Sequence, residues 1–162
     1  ESMEIMKFSE CIYLSYPIQH NLNYYFVKYV EECSKNINKL FKNDTIVIAC
    51  KGHSGSMIAS SVAFQLKTIY HKQVVVCILR KFEEKAHNNQ FVSYLNVLIK
   101  NPIVVIDDFI ETGNTIRSII SAIHLLIGED RKIDELIVTN SGVELSKHYK
   151  DIIDNFQYIL CN

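Results

Sequence analysis

The chain has 162 residues, 48% of them hydrophobic and 22% charged, so it can bury the core of one ordinary globular domain. Its formal net charge of −1 offers no basic field for nucleic acid or an anionic membrane surface. No apolar run approaches a bilayer span and the N-terminus shows no secretory pattern, so a soluble cytoplasmic protein spanning residues 1–162 as a single domain is expected. Glu1-Ser2 ahead of Met3 are either native or left over from cloning. Cys11, Cys33, Cys50, Cys77 and Cys161 are odd in number and lack Cys-x-x-Cys spacing. Several have apolar neighbours, so they read as small buried hydrophobes in a reducing compartment, with neither a disulfide framework nor a zinc site indicated.

In chain order, Leu22, Tyr25, Phe26, Tyr29, Val30, Cys33, Ile37, Leu40 and Phe41 recur at helical spacing and predict an amphipathic helix, broken at Asn43-Asp44. Residues 45–49 read as a buried strand, residues 52–55 as a loop, and Ile58, Val62, Leu66 and Ile69 as the stripe of a second helix. Residues 74–79 form a second strand, followed by a charged stretch over 80–90 and an ambiguous helix or strand over 91–99. Asn101-Pro102 breaks the chain before a strand at 103–106. A helix then runs through Ile116, Ile119, Ile120, Ile123, Leu126 and Ile127. A strand at 135–139, a helix at 144–155 and a strand at 156–160 complete the pattern. Strands alternating with helices predict an α/β fold: a mostly parallel, twisted sheet with helices on both faces.

The most informative stretch is Val104-Val105-Ile106-Asp107-Asp108-Phe109-Ile110-Glu111-Thr112-Gly113-Asn114-Thr115. An apolar strand ends in two carboxylates, and a short glycine loop then opens a helix. Such a loop presents backbone N–H groups, hydroxyls and a helix N-terminus, all of which favour a phosphate. The acids lie at the carboxyl end of a strand, where open α/β sheets bind ligands. There they can accept from sugar hydroxyls or help hold a hydrated Mg²⁺. A second strand–loop–helix, Ala49-Cys50-Lys51-Gly52-His53-Ser54-Gly55-Ser56, suits another anion. His20, His71, His124 and His148 show no metal-ligand spacing, and His53 sits inside that second loop.

The acidic-pair motif resembles the phosphoribosyl-pyrophosphate (PRPP) motif of the type I phosphoribosyltransferases: apolar strand, two acids, three variable residues, then Thr-Gly-any-Thr. The resemblance extends over residues 45 to about 140 and implies that family's fold, with a small or reduced hood. It also implies pyrophosphate displacement from C1 of PRPP by a nitrogenous base, with Mg²⁺, in nucleotide synthesis or salvage. Asp107 and Asp108 would then contact the ribose hydroxyls, directly or through metal-bound water, and Glu111, Thr112, Gly113, Asn114 and Thr115 would cradle the 5′-phosphate. Lys51-Gly52 looks like the pyrophosphate loop of orotate and 6-oxopurine phosphoribosyltransferases, where Gly52 would permit an unusual backbone such as a cis peptide. Arg80 would join it in binding PRPP. Arg80-Lys81 followed by Lys85 and His87 is similar to the catalytic lid of orotate phosphoribosyltransferases. One extra residue separates the halves, however, and Asn88-Asn89 replaces the usual glycines.

In 6-oxopurine enzymes of this family an Asp in the slot of Glu111 handles the base proton. Glu111 could take that part, or be a surface carboxylate favoured by the helix dipole. The lysine those enzymes carry for the purine oxygen is missing from residues 136–142. A hood would come from residues 5–20 or 80–100, because only Cys161 and Asn162 follow the last predicted strand. The implied partners are PRPP and a small acceptor base, with a homodimer left open and neither nucleic acid nor membrane expected. A non-catalytic PRPP or nucleotide sensor on the same fold is the alternative. A nucleotide hydrolase would need a positioned water or nucleophile, and the sequence offers no candidate.

Overall fold

The structure is a computed structural model that describes residues 16–79, 95–107, 109–110, 113–138, 140–141 and 145–158. Helix α1 (Tyr16–Leu40) leads to β1 (Thr45–Lys51), α2 (Gly52–Tyr70) and β2 (Gln73–Leu79). After α3 (Leu95–Lys100) come β3 (Ile103–Ile106), β4 (Phe109–Ile110) and α4 (Asn114–Ile127). The chain continues through β5 (Ile133–Val138), β6 (Asn140–Ser141), α5 (Leu145–Tyr149) and β7 (Ile153–Tyr158). The main sheet has five parallel strands in the order β2-β1-β3-β5-β7, and β4 pairs with β6 in a separate parallel ribbon.

A parallel sheet must be covered on both faces, because its crossover connections lay helices across it. Strand β1 shows how the sequence meets that demand. Ile46, Ile48 and Cys50 pack with Tyr29, Val30, Cys33 and Ile37 of α1 and Ile58, Ala59, Val62 and Leu66 of α2. Their alternating neighbours Val47 and Ala49 belong instead to the core with Leu98 of α3 and Ile116, Ile119, Ile120 and Ile123 of α4. Of the predicted stripes, Tyr29, Val30, Cys33 and Ile37 of α1, Ile58, Val62 and Leu66 of α2, and Ile116, Ile119, Ile120 and Ile123 of α4 are therefore core, whereas Leu40 and Ile69, near their helix ends, are exposed. Cys33, Cys50 and Cys77 are buried thiols that form no disulfide.

Polar groups tie the loops at the N-terminal edge. Lys72 is buried, and its ammonium donates to the carbonyls of Phe41 (3.0 Å) and Asn43 (2.6 Å), joining the α1–β1 and α2–β2 connections. Asp134 accepts from the Ile103 N–H (2.7 Å) and from Arg131 (3.1 Å), which also donates to the Asn101 carbonyl (2.7 Å). That cluster sets β3 against β5.

Three expectations need correction. Residues 52–55 are the first turn of α2 and not a loop, because Gly52 turns directly from strand into helix with φ 77°. No cis peptide occurs among the described residues; the positive φ of Gly52 makes the bend. The helix expected over 144–155 is only α5, and β7 begins at Ile153. There the pairing of Ile133 with Ile153 and of Leu136 with Phe156 outweighs the local helical spacing. The ambiguous segment 91–99 is helical from Leu95, and Leu98 is buried in the main core rather than contributing to a hood. Residues 1–15 and 80–94 lie outside the described residues.

Glu135 is out of keeping with this core. It sits in β5 between Val104 of β3 and Asn155 of β7, 2% exposed, with Oε1 lacking a hydrogen-bond partner. Burial pushes its carboxyl up from 4.5 to about 7. Between those values the unfolded chain ionises while the folded chain keeps its proton, so this group lowers stability as pH rises. Glu135→Gln should therefore gain on the wild type between pH 5 and pH 8, by on the order of 1–3 kcal/mol at the upper end. Denaturant unfolding at both pH values measures this, and an equal difference at the two would contradict it.

Candidate active site at the carboxyl edge of the sheet

From β1 the chain crosses to β2 on one side and later to β3 on the other, so the strand order reverses between β1 and β3. Such a switch point leaves a crevice outside the carboxyl ends of the strands, the usual ligand site of open α/β sheets. Val47, Ile48 and Ala49 pair with Ile103, Val104 and Val105; two further steps of that register set Lys51 level with Asp107. Both sequence-predicted anion loops thus leave the sheet side by side.

Each loop opens a helix whose N-terminus lacks a side-chain cap. Lys51 is the N-cap of α2 and Gly113 that of α4; neither makes a side-chain cap hydrogen bond, and neither first turn holds an acidic residue. With no side-chain cap from the N-cap residue, the positive end of each helix dipole is suited to an anion. Gly113 has φ 83°, a left-handed conformation that a side chain would strain. A methyl group built there would also lie 3.2 Å from the Tyr149 hydroxyl.

Asp107 directly follows β3 at this edge. Only 6% exposed, it donates its N–H to the Ile137 carbonyl (3.1 Å), and its own carbonyl accepts a long bond from the Tyr29 hydroxyl (3.4 Å). The first turn of α2 lies close by: a methyl built on Gly55 would stand in ordinary contact, 3.8 Å from a carboxylate oxygen of Asp107 and 3.5 Å from Cys50 Cβ. The neighbouring Cys50 thiol is pushed up to about 12 by burial, by the Asp107 charge and by Cys77. It stays protonated at neutral pH, which removes it as a nucleophile.

Lys51, Gly52, Asp107, Gly113, Asn114 and Thr115 are thus gathered at one edge. Asp108, Glu111 and Thr112, and the lid candidates Arg80, Lys81, Lys85 and His87, lie outside the described residues. Leu79, the last residue of β2, pairs with Lys51 at the same edge. Sequence reasoning missed Tyr29 and Tyr149, which carry no local signal, and took Gly55 only as part of a loop. A groove of about 390 Å³ between α1 and α2, lined by Val27, Val30, Glu31, Ser60, Ser61, Phe64 and Gln65, lies part-way along α2 and holds none of these groups.

Residues 21–152 match the family model of the phosphoribosyl transferase domain. The chain belongs to this family. No curated protein matches it in sequence. Its fold is similar to that of orotate phosphoribosyltransferase from Francisella tularensis (TM-score 0.60, 12% identity, covering 83% of this chain and 65% of that one). It is also similar to a phosphoribosyltransferase from Corynebacterium diphtheriae (TM-score 0.57, 12% identity, 90% and 76% covered). Adenine phosphoribosyltransferase from Saccharomyces cerevisiae, solved with an imino-altritol bisphosphate and adenine, is a third likeness (TM-score 0.56, 14% identity, 83% and 78% covered). The chain therefore has the type I phosphoribosyltransferase fold, and spans just under two thirds of the length of the Francisella enzyme.

The two glycines make opposite predictions. Gly113→Ala should cost about 1–2 kcal/mol through its left-handed backbone. Gly55→Ala has room for its methyl group and should be neutral or stabilising by up to about 1 kcal/mol. Urea unfolding of the two variants tests the difference in sign.

Proposed function

We propose that this chain transfers the phosphoribosyl group of PRPP to a nitrogenous base. The observation that carries this reading is the pair of uncapped helix N-termini on either side of Asp107 at the switch point of the sheet. PRPP has a phosphate at one end, a pyrophosphate at the other and a diol between, and the proposed assignment follows that order. The α4 N-terminus, with residues 111–115, takes the 5′-phosphate. Asp107 and Asp108 accept from the ribose 2′ and 3′ hydroxyls. Lys51, Gly52 and Arg80 hold the pyrophosphate.

In the reaction, the bond between C1 and the pyrophosphate oxygen breaks and a bond from C1 to the base nitrogen forms. Pyrophosphate leaves with the electron pair, and the nitrogen gives up its proton, for which Glu111 is the proposed acceptor. The transition state is oxocarbenium-like, as in glycosyl transfer generally, so it gains from groups that stabilise the leaving anion and exclude water. Lys81, Lys85 and His87 are the residues proposed to close over that end.

Magnesium fits the donor set. Asp107 supplies hard carboxylate oxygen, and among the described residues no cluster of three His, Cys, Asp or Glu could hold a metal unaided. Mg²⁺ is commonly bound in this way, by one or two carboxylates with water and substrate oxygens completing its shell. Bound there through Asp107 and Asp108, it would neutralise charge on the pyrophosphate. Among the described residues no helix is long and apolar enough to cross a membrane, and a cytoplasmic location is part of this proposal.

The test is incubation with PRPP, Mg²⁺ and a panel of purine and pyrimidine bases while following pyrophosphate release. One base should support turnover, and Asp107→Asn with Asp108→Asn should abolish it while leaving the thermal midpoint unchanged or slightly raised, since two adjacent carboxylates repel. PRPP should also raise that midpoint, because a ligand that binds only the native state stabilises it. Stabilisation by PRPP without release from any base would point to the sensor reading, and no stabilisation at millimolar PRPP would overturn both.

A further inference from the structure

Tyr149 closes α5, well outside the Thr-Gly-Asn-Thr loop in sequence. Its residue is 6% exposed and packs in the core that holds Ile116, Ile120 and Ile153. Its carbonyl accepts from the Ile152 N–H (2.9 Å), which pins the residue at the turn into β7. A ring so held can place its hydroxyl with little freedom, yet that hydroxyl has no hydrogen-bond partner. Leaving a buried hydroxyl unpaired is unfavourable, and native structures rarely do so without a reason.

The hydroxyl is aimed at the N-cap of α4, 3.2 Å from where a Gly113 Cβ would stand. The Arg117 guanidinium is 3.7 Å from the same point, and its other terminal nitrogen donates to the Asn114 side-chain oxygen (2.8 Å). One small space is therefore bordered by an unpaired hydroxyl, a cation and the uncapped start of a helix of 14 residues with no acid in its first turn. That combination favours an oxyanion with lone pairs to spare.

We propose that the Tyr149 hydroxyl donates a hydrogen bond to the phosphate group held at the N-terminus of α4. The proposal rests on the phosphoribosyl reading above and adds to it a binding residue from outside the motif. It also gives Gly113 a second reason to be glycine: a side chain there would stand between hydroxyl and ligand.

The test is Tyr149→Phe, which removes one oxygen and keeps the ring. Calorimetry with PRPP, ribose 5-phosphate and pyrophosphate, each with Mg²⁺, should show affinity for the first two falling by about tenfold, the scale of one charge-assisted hydrogen bond. Affinity for pyrophosphate, which lacks the 5′-phosphate, should be unchanged, and the unliganded thermal midpoint should hold or rise. Unchanged affinity for ribose 5-phosphate, an equal loss for pyrophosphate, or a variant that unfolds or melts well below the wild type would each overturn the role of Tyr149 while leaving the enzyme reading standing. Failure of the wild type to bind any of the three would overturn both.

Discussion

The parallel pairing of β1 with β3 is the constraint on which the site depends. Both strands run the same way and both end at the same edge, so the loops that follow them must leave the sheet together. Because β2 lies on the far side of β1, the chain has to reverse its direction of travel across the sheet there. The starts of α2 and α4 flank the reversal. The crevice is thus a consequence of connectivity, and in the proposed function the residues at its rim adapt it to an anionic ligand.

The rim combines features that conflict with maximal stability. Two helices start without the side-chain caps that would stabilise them, Gly113 holds a left-handed backbone, and Tyr149 keeps a buried hydroxyl unpaired. A cap or an acid in the first turn would satisfy these helices and occupy the place of a phosphate. Lys72 shows that the same chain does satisfy a buried charge elsewhere, with two carbonyl partners at the opposite edge. The unsatisfied groups at the rim therefore read as capacity reserved for ligand.

Gly55 shows how packing tunes the site. It lies in the first turn of α2, whose positive end stands near the Asp107 carboxylate, an arrangement that a helix dipole favours. The close packing that keeps Cys50 protonated also leaves Asp107 nine-tenths buried, with its backbone tied to β5 and α1. Its backbone is consequently fixed, and in the proposed function such a preset position is the condition under which charges assist catalysis most.

Much of this was legible in the residues alone. The periodicities of α1, α2 and α4, the apolar runs of β1 to β3, and the register of the acidic pair with Thr-Gly-Asn-Thr depend on neighbours in sequence, and those local signals carried the α/β class and the loop that heads α4. Local pattern failed where long-range pairing overrides it. Residues 153–155 carry helical spacing, yet β5 recruits them as the start of an edge strand; Gly52 reads as loop, yet its positive φ lets the helix begin at once. Tyr29, Gly55 and Tyr149 could not be found from the sequence, because nothing local says that their side chains or their lack of one will meet Asp107 and Gly113. Spacing along the chain determined which chemistry was available; only the crossing order of the strands decided which residues converge on it, since contacts between distant segments are set by how the sheet is wound.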